Sequence, residues 1–564
     1  MSVSSEADRS PSPRVDVCVV GAGVAGALLA DSLAAGGHEV VVLEAGERFD
    51  FEERPDQMER SLRPAHDPLE VWRMGGARDE FTSSGELFYP LNRRRVKAVG
   101  GSTLHWGGRV ARLPQKDFEM ESRYGLATDW PIDYDDLKPH YATAERELGV
   151  AGTEDNPFAP PRDEPFPMEG FPRSYSDRLF EAACEELGIT AHSVPNARNR
   201  VAYDGRSPCV GYGTCSPACP SGAQYSADVH VRKAESEGAR VIDRAAVQRL
   251  EHDRSGDRIT AAVYRTPDGS THRQAARQFV VAAGGVETPR LLLLSATEEH
   301  PNGLANSSDA VGRYFMESPY AQVVGELDRP TGQRRIGFGT MESHQFYEPE
   351  EPTPGSFKIE FGNGAGPTIT DLALAQRAPL EDLLGVARNP TDPASLDRLR
   401  GTLEPIEWGD DLLETIDEGY GNHFEISAEI EVLPRAENRI TLDGSQTDEF
   451  GNPVPDVSWN RDPHAVRTIE RAFEVLDRIV DGLDAEVRSR RHGVLWRGVG
   501  HHSGTTRMGE DPTESVVDAD CRTHDVENLY LAGCGTFPTS GAMQPTLTIA
   551  AMALRLGGHL DGVL

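Results

Sequence analysis

The sequence predicts an α/β fold built around a Rossmann-type nucleotide-binding domain, with a second domain beside it. Three observations carry this. A short apolar strand, Val15 to Val20, runs into Gly21, Gly23 and Gly26 at G-x-G-x-x-G spacing and then into a helical stretch, ALLADSLAAGG. A matching apolar strand, turn and long helix close the chain, in NLYLAGCGTFPTSGAMQPTLTIAAMALRLGGHL. Finally, 564 residues are too many for one hydrophobic core, so at least two domains are expected.

Each part of the first unit has a mechanical reason. Gly21 permits a tight turn, Gly23 lets backbone approach a pyrophosphate, and Gly26 lets helix and strand pack closely. The helix start then faces the phosphates. HEVVVLEAG supplies a second strand, and Glu44 at its end is placed to accept from ribose hydroxyls. An acid there argues for NAD or FAD over NADP, whose 2′-phosphate it would repel. The terminal segment predicts a strand from Leu529 to Ala532, a glycine turn at Gly533 and Gly535, and a helix whose dipole points back at the nucleotide. A last strand and helix that return to the first fold favour FAD.

Composition narrows the partners. The formal net charge of -34 excludes nucleic acid as a natural ligand and disfavours an anionic membrane surface. The cations are nearly all arginine, and the carboxylates are dispersed through the chain, as in RDEPFPMEG. Such a surface suits a salt-rich, halophilic cell, where self-repulsion is screened over a few Å. The polar lead-in, residues 1–13, is expected to be disordered. With neither a signal peptide nor a membrane-length apolar run in view, a cytoplasmic location is expected.

Seven cysteines are present, and three of them, Cys209, Cys215 and Cys219, fall in CVGYGTCSPACP. Thiols grouped in this way hold a metal centre or form a disulfide. Converging thiolates on a Gly/Pro-rich loop, with a proline after the last, suit iron. A three-iron cluster needs only three protein ligands, whereas tetrahedral zinc wants a fourth, and none offers itself before His230. The remaining cysteines, Cys18, Cys184, Cys521 and Cys534, read as small buried residues.

Over nearly its full length the chain resembles the glucose–methanol–choline (GMC) oxidoreductases. The resemblance rests on VKAVGGSTLHWGG (Val96 to Gly108), DWPIDYDDLKPHYATAERELGV (Asp129 to Val150), VAAGGVETPRLLLLS (Val281 to Ser295), VGRYFMESP (Val311 to Pro319), VLPRAENRITLD (Val432 to Asp443) and HHSGTTRMG (His501 to Gly509). The cysteine segment is similar to that of bacterial FAD-dependent glucose, sorbitol, fructose and gluconate dehydrogenase catalytic subunits, where the resemblance implies a [3Fe–4S] cluster. It further implies oxidation of a CH–OH group of a sugar, polyol or other alcohol, with hydride passing to flavin N5 and His501 as proton acceptor. The second catalytic position, His or Asn in the family, is Gln544 here, which puts the substrate more than the reaction in doubt.

The resemblance also assigns Gly100, Gly101, Ser102 and His105 to the flavin, with Pro545 and Thr546 at the terminal helix. His105 matches a position of covalent flavin attachment in some relatives, and non-covalent FAD is the expectation here. A discontinuous FAD domain is expected at 14–50, 85–150, 200–320 and 495–564. A substrate domain with an antiparallel sheet and helices is expected at 321–494, with 51–84 and 151–199 as connecting or lid segments. Within the substrate domain HFEISAEIEVLP reads as one alternating strand, NRITLDGSQTDEFGNPVPDVSWN as a strand pair, and DPHAVRTIERAFEVLDRIVDGL as an amphipathic helix. Electrons would leave through the cluster to a partner protein or quinone, with a small subunit as a further partner, and the resemblance implies export or membrane attachment through that subunit as the alternative to a cytoplasmic location. A GMC oxidase using oxygen, a flavoprotein electron-transfer subunit and a structural zinc loop are the competing readings.

Overall fold

The computed structural model describes residues 8–63, 70–332, 336–348, 355–362, 364, 366–374, 408–493 and 500–564. Two sheets position everything that follows. The first is parallel, with strands in the order Leu529–Leu531, Ala276–Val281, Val15–Val20, Val40–Leu43 and Arg240–Ile242. Its strands Val15–Val20 and Val40–Leu43 are buried on both faces, which is why they read as apolar runs without alternation.

The helix Val24–Ala35 follows the first strand, as the fingerprint requires. A Cβ on Gly26 would lie 2.0 Å from the Gly21 carbonyl oxygen, so only glycine lets helix and strand meet. The terminal helix Thr546–Val563 packs against Val24–Ala35, with Gly557 facing Ser32 across the contact.

The second sheet is antiparallel. Its order is Glu486–Gly493, Tyr320–Glu326, His423–Ile430, Phe357–Gly362, Met341–Ser343 and His192–Ser193. One face carries Ala321, Val323, Phe357, Ile359, Phe361, Phe424, Ile426 and Ala428 into a core with the helices Tyr175–Glu186 and Pro463–Gly482. Asp462 caps the latter helix by accepting from the His464 amide at 2.9 Å. The expected strand pair is present as Arg439–Thr447 and Pro453–Ser458, and Thr82–Ser84 adds a parallel third strand.

Some segments lie where the sequence did not put them. The helix Tyr175–Glu186 and the strand His192–Ser193 come from the stretch expected to connect domains, yet they complete the antiparallel layer. Of the lead-in, residues 1–7 fall outside the described residues, while Arg9 and Ser12 are bonded to Asp243 and Gln274 of the nucleotide fold. Most of the acidic, Pro-rich region between Tyr347 and Asp411 also falls outside the described residues. Among the described residues no helix is long and apolar enough to cross a membrane.

Candidate active site

A cavity of about 990 Å³ lies between the carboxyl ends of the parallel strands and the polar face of the antiparallel sheet. Ligand crevices in open α/β sheets form at that end. Gly21, Gly23, Glu44, Gly101, Ser102 and His105 line it from one side. Gly533 lines it just after the last parallel strand, and Pro545 and Thr546 line it at the start of the terminal helix. Nothing lies within 4 Å of where a Gly23 Cβ would be, and no side chain caps the helix that Gly23 precedes. Its first amides are therefore available to a pyrophosphate.

Gly26, Gly100 and Gly535 stand behind this surface and shape it. The Gly100 amide bonds the Ala22 carbonyl at 2.9 Å, and a Cβ on Gly535 would meet the Thr506 hydroxyl at 2.9 Å. Glu44 accepts from the Ala22 and Gly46 amides, each at 2.8 Å. One lone pair per oxygen is thus used, and the others remain for ribose hydroxyls. The cradle therefore fits FAD.

His501 and His502 follow Gly500, whose amide is anchored on Glu317 at 2.8 Å. Behind them the H-x-x-G-T segment is clamped: Ser503 pairs with Met316, and the Thr505 hydroxyl donates to the Gly285 carbonyl at 2.6 Å. His501 borders the cavity. Its Nδ1 lies 3.0 Å from Oε1 of Glu429, although not aligned for a hydrogen bond, so the ring must rotate to complete one. A carboxylate can only accept, so that bond, once made, would put the ring proton on Nδ1 and leave Nε2 as a base. His502 is different. Its Nε2 is 2.7 Å from the Tyr89 hydroxyl, its ring stacks on Phe315, and burial pushes its pKa down to about 3. It is a neutral histidine, and it too borders the cavity.

Facing these groups is a wall of charge. Because neighbouring strands are in register, the polar residues of all of them share one face: Lys358 opposite Glu429, Glu360 opposite Ser427, and Glu342 opposite Glu360. Lys358 is fully buried and lies 3.0 Å from Glu429 and 3.7 Å from Glu342, and it also pairs with Glu360. Arg109 pairs with Glu360 and lies 3.6 Å from Glu342. Burial alone would raise the Glu360 carboxyl, but Arg109 and Lys358 outweigh it and hold it well below the usual carboxylate range. Gln544 reaches the same wall, its Nε2 donating to Glu360 at 2.8 Å and Glu429 at 3.3 Å.

Sequence reasoning named His501 and Gln544 but missed Arg109, Glu342, Lys358, Glu360 and Glu429. The signal was there as alternation in FKIEFG and HFEISAEI, since period two marks a polar face without saying whether it meets solvent or a cavity.

All seven cysteines are free thiols. Cys215 is buried, and burial raises its thiol pKa. Around a zinc ion thiolate sulfurs would lie about 3.8 Å apart, from Zn–S bonds of about 2.3 Å. Among the described residues the trio whose ligand atoms lie within 4.8 Å of one another is Asp31, Glu147 and His230, with Lys233 already on Glu147, and not the cysteines. Three thiols on one loop would offer an iron–sulfur cluster the three protein ligands that a three-iron centre needs. Gly213, Ser216 and Pro217 of this loop line the same cavity as His501, and the Ser216 hydroxyl donates to the His105 carbonyl at 3.1 Å.

Two family profiles match the chain, both described as GMC oxidoreductase, over residues 18–320 and 434–553. The fructose dehydrogenase large subunit of Gluconobacter japonicus is 33% identical over 561 residues, covering 96% of each chain. The 2-methyl-1,2-propanediol dehydrogenase of Mycolicibacterium austroafricanum is 31% identical over 567 residues, covering 97% of this chain and 95% of that one. Among solved structures, pyridoxine 4-oxidase from Mesorbium loti superposes with a TM-score of 0.62 at 17% identity, covering 96% of this chain and 98% of that one.

Proposed function

The chain belongs to the GMC oxidoreductase family, and on that premise we propose that it is an FAD-dependent dehydrogenase of a sugar or polyol, with His501 as proton acceptor and the cysteine loop as the electron outlet. When bound, FAD supplies a hydride acceptor and a [3Fe–4S] cluster a one-electron acceptor beyond it. The chain does the rest. His501, kept as the Nδ1–H tautomer by Glu429, takes the hydroxyl proton at Nε2. Gln544 and the polar wall hold the substrate's other groups. Cys209, Cys215 and Cys219 would hold the cluster.

The observation that favours a dehydrogenase over an oxidase is the cysteine loop itself, which shares a cavity wall with His105 and His501. The relatives named for fructose and 2-methyl-1,2-propanediol support a polyhydroxylated substrate, as does the polar wall. A second subunit and a protein or quinone acceptor complete the reading, in keeping with a relative described as a large subunit.

The test is direct. Protein purified without oxygen should contain about three irons and four acid-labile sulfides per chain, as that cluster type requires, and its flavin should bleach with a sugar or polyol. Re-oxidation should be faster with a one-electron acceptor than with oxygen. Iron-free protein that turns over rapidly with oxygen would make it an oxidase.

A further inference from the structure

The amide of Gln544 has one orientation open to it. Its nearest polar neighbours are Oε1 of Glu360 at 2.8 Å and Oε2 of Glu429 at 3.3 Å. An ionised carboxylate accepts and cannot donate, so nitrogen must face both; turning the amide over would set its oxygen against theirs. An amide nitrogen has two hydrogens, and both are spent on the wall. The wall cannot easily give way, because Lys358 pairs with both carboxylates and Arg109 with Glu360. Among the described residues the Gln544 Oε1 has no hydrogen-bond partner, and the side chain borders the cavity.

An acceptor in that place has a consequence for the substrate. The reacting hydroxyl gives its proton to His501, and its oxygen gains negative charge as it does so. A carbonyl oxygen cannot donate to that oxygen and is poorly placed against it. It needs a different donor, and the nearest that an alcohol can offer sits on the adjoining carbon.

We propose that Glu360 and Glu429 lock the Gln544 amide with its carbonyl toward the substrate, so that position 544 acts only as an acceptor, and that the enzyme thereby selects alcohols bearing a hydroxyl or ammonium on the carbon next to the one oxidised. This rests on the alcohol-oxidising reading above and goes beyond it by naming the substrate class and two positioning residues, Glu360 and Glu429.

The experiment uses anaerobic FAD-loaded enzyme and matched pairs: ethane-1,2-diol and 2-aminoethanol against ethanol, and D-glucose against 2-deoxy-D-glucose. Flavin reduction should favour the donor-bearing member by about ten-fold or more in kcat/KM, the worth of one well-made hydrogen bond. The difference should appear mainly in KM, since the contact exists before and during the reaction. Gln544→Met keeps the length, removes the acceptor and leaves the wall's ion pairs standing; the preference should then shrink below about three-fold. Glu429→Gln gives the wall a donor and lets the 544 amide turn over, so 2-methoxyethanol should gain on ethane-1,2-diol. If that variant does not fold, the Gln544→Met ratio decides alone. A flat ratio within the pairs that reduce wild-type flavin, or a full preference kept by Gln544→Met, overturns the proposal while alcohol oxidation stands. Failure of every sugar, polyol and alcohol to reduce the flavin removes the underlying reading and the proposal with it.

Discussion

His501 and His502 are neighbours in sequence with opposite fates. His501 faces the cavity with a carboxylate at 3.0 Å, and its replacement by alanine should slow flavin reduction about 10²- to 10⁴-fold, the usual worth of a positioned base. Stopped-flow reduction of FAD-loaded enzyme measures this, and an unchanged rate would strip the residue of its role. His502 stays neutral because burial depresses its pKa from 6.5 to about 3. The sign follows: below pH 6.5 the unfolded chain takes up a proton at this site that the folded chain refuses. The site's contribution to stability is therefore whole above pH 6.5 and shrinks as pH falls toward about 3. Urea midpoints across that range should fall less steeply in His502→Gln than in the wild type. The motif singled out His501 as the base from sequence, whereas the burial that keeps His502 neutral is set by tertiary packing against Tyr89 and Phe315.

At the scale of elements, the motif segments are held by backbone contacts that only glycine allows. A Cβ on Gly285 would lie 1.7 Å from the His502 carbonyl oxygen, so Gly285→Ala must push the helix Gly284–Leu294 or the histidine segment out of place. We expect the variant to lose FAD and to unfold several degrees earlier, read by bound-flavin absorbance and a thermal melt. By contrast, Gly188→Ala meets nothing within 4 Å but has φ +68°, so its cost, about 1 kcal/mol, is backbone strain alone and the flavin should remain. The strand–turn–helix units at both ends of the chain were readable because their periodicity and glycine spacing are local. The strands Phe357–Gly362 and His423–Ile430 were half readable: their period was plain, while the destination of their polar face was not. That face meets Gln544 and His501, more than 100 residues away in one case and more than 70 in the other.

For the whole molecule, the net charge of -34 is a self-repulsion that the fold must withstand. Surface arginines answer part of it in pairs such as Arg258–Glu527 and Arg277–Asp16, which salt also weakens. Carboxylates outnumber the cations, 91 to 57, so the unpaired excess dominates and screening should win. We expect the thermal midpoint to rise by several degrees between about 0.1 M and about 1 M KCl, as the screening length falls from about 10 Å to about 3 Å. An equimolar set of melts that stays flat, or falls, removes salt adaptation as the reason for the charge.

What the chain alone could settle was whatever depends on near neighbours: the nucleotide cradle from Gly21 to Glu44, the class of chemistry from the H-x-x-G-T segment, and a thiol loop at Cys209 to Cys219. Glycine spacing, strand period and motif order are all written within a few residues of one another. The tertiary structure alone set Glu429 beside His501, turned the Gln544 amide to the wall, and brought Ser216 of the cysteine loop against His105. Those contacts join distant segments, and whether a polar strand face meets water or substrate depends on which layers close over it.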